Sequence, residues 1–252
     1  MSSSDIKCKN CGNSVEANYC SHCGQSAKTE RIDLLYLFQS LIYGMFHVDK
    51  GILHTMKMLT LRPGKAIRGY LSGKRVSLFK PFSYLITLAA IYVLCFIAFG
   101  LSPYYSNEYS AQNAEIDALG STIATWITNH LGLVQLMILP ISAFFSFLLF
   151  KKSNYNYGEN LVINIYVSAH VILFSILLLP VVYLLSKIGY EESSFYLSSV
   201  LSTIVEMIML CSVFTMYSKT SRVIRSFIWA VLSNIAFIFI ISIVIFFSYY
   251  LA

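Results

Sequence analysis

Pro81–Gly100 reads PFSYLITLAAIYVLCFIAFG, twenty residues without a charge. As a helix this stretch is about 30 Å long, which matches the hydrocarbon core of a bilayer. Lys65, Arg68, Lys74, Arg75 and Lys80 precede it, whereas residues 101–130 carry Glu108, Glu115 and Asp117 and no Lys or Arg. Basic residues are retained on the cytoplasmic side, so this first span is expected to run from inside to outside as an uncleaved signal anchor. No apolar segment of signal-peptide type precedes it.

The same logic extends along the chain. Uncharged or nearly uncharged runs at 131–150, 161–186, 197–217 and 227–251 predict four further spans, so 81–101 and these four make five. Lys151 and Lys152 close the second, and Lys219, Arg222 and Arg225 follow the fourth. Of eighteen Lys and Arg, only Lys187 falls on the outer side in this arrangement. The expectation is an all-α integral membrane protein, N-terminus inside and C-terminus outside. With 57% hydrophobic and 12% charged residues, the composition excludes an ordinary soluble domain. The net charge of +6 is spread beside the apolar runs rather than gathered into a patch, which argues against nucleic acid as a partner.

The head, residues 1–28, holds four of the six cysteines as Cys8-x-x-Cys11 and Cys20-x-x-Cys23. Two such pairs can close a tetrahedron around Zn²⁺, and a segment this short has no core of its own, so the metal would supply its folding energy. Zn–S bonds near 2.3 Å require the four sulfurs to converge within about 4 Å of one another. Gly12 and Gly24 follow each pair, where a positive φ turns backbone N–H groups towards sulfur. His22 is read as a spectator, and Cys95 and Cys211, inside apolar helices, as buried inert thiols.

Residues 29–80 form a neck. An uncharged run over 34–46 is too short to span and reads as an amphipathic helix lying on the membrane or beneath the bundle. A second short helix carries Ile52, Leu53, Met56 and Leu59. Arg62-Pro63-Gly64 stops it and opens a third, which Ser72-Gly73 ends. Lys65, Arg68, Lys74, Arg75 and Lys80 form a basic collar, read first as orientation signal and snorkelling side chains, and second as a contact for anionic lipid headgroups or a phosphorylated ligand. His47 and His54 lack a third ligand and read as interfacial residues.

The paired Cys-x-x-Cys-Gly, Leu61-Arg62-Pro63-Gly64, Gly73-Lys74-Arg75 and Lys80-Pro81-Phe82-Ser83-Tyr84 resemble an uncharacterised bacterial family, a domain of unknown function with an N-terminal zinc ribbon before several membrane helices. The resemblance implies a bacterial inner-membrane protein and brings no catalytic residues with it.

Within the bilayer, Glu206 would cost roughly 2.5–3.5 kcal/mol if ionised, so its face of the fourth span, with Ser199, Ser202 and Thr203, is expected to turn into the bundle. His170 and Asn234 are its candidate partners. P-loop, nucleophile-elbow and zincin motifs are missing from the sequence. The leading expectation is a non-enzymatic inner-membrane protein whose zinc head and neck dock a partner protein. The alternative is a small transporter or channel component working through Glu206 and His170.

Overall fold

The computed structural model describes residues 6–37, 39, 51–99 and 136–251. In chain order these form β1 (Ile6–Lys7), β2 (Ser14–Val15), α1 (Ile52–Leu61), α2 (Pro63–Leu71), α3 (Pro81–Ala98), α4 (Leu136–Leu149), α5 (Tyr157–Lys187), α6 (Glu191–Val213) and α7 (Lys219–Leu251). Among the described residues, four helices are long and apolar enough to cross a membrane: α3, α5, Tyr196–Val213 of α6 and Lys219–Ile243 of α7. The chain is therefore a multi-pass membrane protein. The second expected span, 131–150, is represented by α4, a shorter apolar helix; residues 131–135 lie outside the described residues.

The central element is α5, and its start differs from the run 161–186. Asn156 accepts from the Glu159 amide at 2.8 Å, and Glu159 accepts from the Asn156 amide at 2.8 Å. This reciprocal capping box satisfies two orphan amides and begins the helix four residues earlier than the apolar pattern does. Hydropathy likewise misplaces the turn between α6 and α7. Helix α6 ends at Val213 and α7 begins at Lys219, so the basic residues Arg222 and Arg225 are helical rather than loop residues.

The neck belongs to the same core as the spans. Leu59 of α1 and Ala66, Ile67, Tyr70 and Leu71 of α2 are buried together with Tyr84 and Leu88 of α3, Tyr166 of α5 and Leu210 of α6. The α1–α2 hairpin is thus packed into the bundle, not laid on a surface. Tyr70 and Tyr166 meet edge to face, centroids 5.4 Å apart, and the Tyr166 hydroxyl donates to the Phe79 carbonyl at 2.7 Å. Desolvation holds the Tyr70 phenol far above its ordinary range. Of the expected neck helix over 34–46, residues 34–37 are helical and most of the remainder lies outside the described residues.

The close contact that lets the hairpin enter is made by Gly64. A Cβ there would overlap the main-chain carbonyl of Ser212 at the end of α6. One turn later, Arg68 donates to the carbonyls of Ser212 (2.5 Å) and Val213 (3.0 Å). Pro63 starts α2 at its first position. Arg62-Pro63-Gly64 is therefore a docking segment for the C-terminus of α6 as well as a helix stop.

A four-cysteine candidate metal centre anchored to the bundle

Two similar knuckles build the centre. In the first, the Cys8 amide donates to Asn13 O at 2.8 Å and the Gly12 amide to Cys8 O at 2.9 Å. In the second, the Cys20 amide donates to Gln25 O and the Gly24 amide to Cys20 O, both at 2.8 Å. Gly12 (φ 83°) and Gly24 (φ 74°) take the left-handed conformation that these turns need. Pairing of β1 with β2, Ile6 opposite Val15, flanks the first knuckle, and a bridge between Tyr19 and Ser26 flanks the second.

All four sulfurs lie within 4.8 Å of one another, close to the convergence expected of a tetrahedral site. Cys8 and Cys23 are 3.5 Å apart, as are Cys11 and Cys20, so each short contact crosses between knuckles. Backbone N–H groups aim at the sulfurs: that of Cys11, then that of Asn10, holds the Cys8 thiol down at about 6. Cys11 receives the Asn13 amide, which lowers it, yet desolvation and the neighbouring thiols push it up to about 12. Four thiols so close cannot all ionise without a cation between them, and a soft divalent metal is the species that this donor set suits. These four cysteines form a group able to hold a metal ion. His22 is exposed and outside the group.

The head is fastened to the membrane body by two sets of bonds. Gln25, 3% exposed, donates to Gly73 O at 2.8 Å and accepts from the Arg75 amide at 3.0 Å. Lys9 donates to Thr29 O at 2.7 Å, and Arg75 donates to Glu30 O while lying 4.3 Å from the Tyr36 ring centroid. Further along, Arg31 forms a two-pronged pair with Glu159 at 2.9 and 2.6 Å, and Asn156 donates to Ile32 O at 2.8 Å. Gly158 lets the segment of residues 31–34 cross the start of α5, since a Cβ would come within 3.1–3.3 Å of the Asp33–Leu34 backbone. None of these contacts has a local sequence signature, because partners lie 20 to 128 residues apart.

Arg31→Ala is expected to cost about 1–2 kcal/mol and more at low salt, because Arg31 is 59% exposed while Glu159 is 5% exposed. Glu159→Ala should cost more, since it removes the helix cap as well as the pair. Thermal unfolding in detergent at two salt concentrations would separate the two terms.

The collar is partly spent on the protein itself. Arg68 caps α6 and Arg75 grips the linker, whereas Lys65 and Lys74 are exposed and Lys80 half-buried. Arg222 donates to Cys211 O at 2.9 Å and Arg225 to Leu149 O at 2.5 Å, so three arginines neutralise carbonyls at helix C-termini.

The intramembrane polar residues do not assemble as expected. Thr60 donates its hydroxyl to Met56 O, so it accepts from Nε2–H of His170 at 3.3 Å. His170 Nδ1 then accepts from the Tyr84 hydroxyl at 3.3 Å. Both ring nitrogens are engaged, and His170 ties α1, α3 and α5 together instead of pairing with Glu206. The pocket of about 110 Å³ beside it meets α6 through Val205, Ile208 and Met209, not Glu206. Glu206 is half-buried and makes no hydrogen bond or ion pair among the described residues. Thr203 returns its hydroxyl to Ser199 O, and Asn234 its amide to Ala230 O, so both are satisfied within their own helices. Position in a sequence gives a residue's depth along a membrane helix but does not fix rotation about the axis. Cys95 and Cys211 are half-buried, and Cys211 donates to Ser226 Oγ at 3.3 Å. His54 is exposed, and His47 lies outside the described residues.

No curated protein and no solved structure matches the chain. The docking hairpin and the first span are the segment by which it is recognised: a family described as Protein of unknown function (DUF3667) matches residues 49–93.

Proposed function

We propose that this protein is a bacterial inner-membrane adaptor, with a cytoplasmic Zn²⁺-loaded head that presents a docking surface to a partner protein. The reading is non-enzymatic. The observation that carries it is the anchoring of the four-cysteine head to the bundle through Gln25 and through Arg31 with Glu159. A head fixed in this way has a defined orientation to the membrane, which suits a platform better than a tethered, freely moving domain. Ile6 and Tyr19 stay exposed on it. The same end of the bundle carries the 150–156 and 214–218 turns, joined by the Lys152 amide donating to the Tyr217 hydroxyl at 2.8 Å. Their flanking cations support the inside assignment of that end. Lys65 and Lys74 are available to anionic headgroups there.

The test has two arms. Metal analysis of the purified chain is expected to give one zinc per molecule, and reporter fusions after Lys152 and Arg222 should report cytoplasm, with Ala252 outside if five spans are present. A partner retained in mild detergent by the intact chain should be lost on removal of residues 1–28. A head reporting from outside the cytoplasm would overturn the proposal. A transporter reading keeps little support, because His170 is consumed by Thr60 and Tyr84.

A further inference from the structure

Gln25 performs two jobs with one residue. Its backbone carbonyl closes the second knuckle by accepting from the Cys20 amide. Its side-chain amide, buried against the neck, donates to the Gly73 carbonyl and to Thr29 Oγ1 (3.3 Å) and accepts the shorter branch, 3.0 Å, of the Arg75 N–H, which also reaches Gly73 O at 3.1 Å. Across the same turn, Lys9 of the first knuckle packs so tightly on Gly73 that a Cβ there would come within 2.8 Å of Lys9 Cδ. Gly73 is buried with φ 110°, a conformation no larger residue adopts without strain. Both knuckles therefore grip one turn, residues 72–75, which links the docking hairpin to the first span.

We propose that the four-cysteine centre is a metal-dependent clasp: metal occupancy holds Gln25 and Lys9 on the Gly73–Arg75 turn, and metal loss releases that turn from the head. The inference rests on the four cysteines being a metal site and goes beyond it, because it makes the centre's state felt by the membrane hairpin. The physical reason is that, among its described residues, the head buries only Cys8, Val15 and Cys20 in a cluster of its own. So small a core cannot hold the knuckles in place when the metal leaves. The strap at Arg31–Glu159 stays attached in either state, since its partners lie on α5 and the linker. Release is thus local, a letting-go of one turn and not a detachment of the head's linker.

The experiment uses the full chain in lipid nanodiscs, loaded with Zn²⁺ or stripped with a chelator, with metal content measured on both samples. Hydrogen exchange is followed in peptides covering residues 69–76 and, as reference, in α5. Stripping should speed exchange of the Arg75 amide by about tenfold or more while the α5 amides stay unchanged. Trypsin should then cut after Lys74 and Arg75 in the stripped sample first. Gln25→Ala, if it keeps its full metal content, should show the fast exchange even when loaded. Metal that binds and leaves without altering the Arg75 amide would overturn the clasp but not the metal site. A Gln25→Ala chain as protected as wild type would do the same. A chain that takes up no metal would overturn both.

Discussion

Cys20→Ser is expected to empty the metal centre and unfold the head while leaving the membrane bundle assembled. Cys20 is 2% exposed, and its amide closes the second knuckle. Structural zinc in small modules contributes on the order of 10–16 kcal/mol of apparent binding energy, and that energy is the folding energy of a segment without a core. Loss of one thiolate from four should therefore lower bound metal to a small fraction of one per chain. The head should become a protease-sensitive tail, with detergent-solubilised yield little changed. Cys95→Ser is the matched control, since Cys95 lies in α3 outside the cluster and should keep full metal content. Stoichiometric metal in Cys20→Ser would show that the four sulfurs do not act as a set.

Gly64→Ala should be the most damaging single methyl group in the neck. On an exposed helix, exchanging Gly for Ala gains about 1 kcal/mol. At Gly64 the sign reverses, because the new Cβ overlaps the Ser212 carbonyl, which is main chain and cannot rotate away. Overpacking of this kind costs typically 1–3 kcal/mol and more where backbone must shift. About 3 kcal/mol or more is expected here, since moving α2 also pulls Arg68 from the carbonyls it caps. Gly69 gives the contrast on the same helix: a Cβ there would meet only Lys74 Cδ, at 3.9 Å. Gly69→Ala should be neutral or stabilising by up to about 1 kcal/mol. Thermal unfolding of the two variants in one detergent decides the matter, and equal effects would mean that α2 and α6 do not pack this closely.

The contrast between these residues explains what could be read from the chain directly. Cys8, Cys11, Cys20 and Cys23 are legible because the chemistry of a metal knuckle is local: two thiols, a glycine and eight intervening residues suffice. The spans are legible because a bilayer imposes a length. Gly64 and Arg68 were visible only as a helix stop and a cation, since their meaning comes from Ser212, 144 residues away from Arg68. Arginines beside apolar spans are read first by a charge rule, and that rule masks their second use as helix caps. For Glu206 and His170 the chain supplies depth but not azimuth. The histidine's real partners, a threonine and a tyrosine, carry no signal that marks them out among so many hydroxyl residues.

The strap between Arg31 and Glu159 carries a consequence for biosynthesis. Its two ends are separated by 128 residues. Glu159 leaves the ribosome about 6 to 26 s after Arg31 at ordinary synthesis rates of roughly 5–20 residues per second. The turn that Gln25 grips follows it by only 48 residues, so the head meets its first anchor early. The strap must await insertion of the first span and arrival of the start of α5, so the nascent chain carries a head held at one anchor and loose at the other for much of its synthesis.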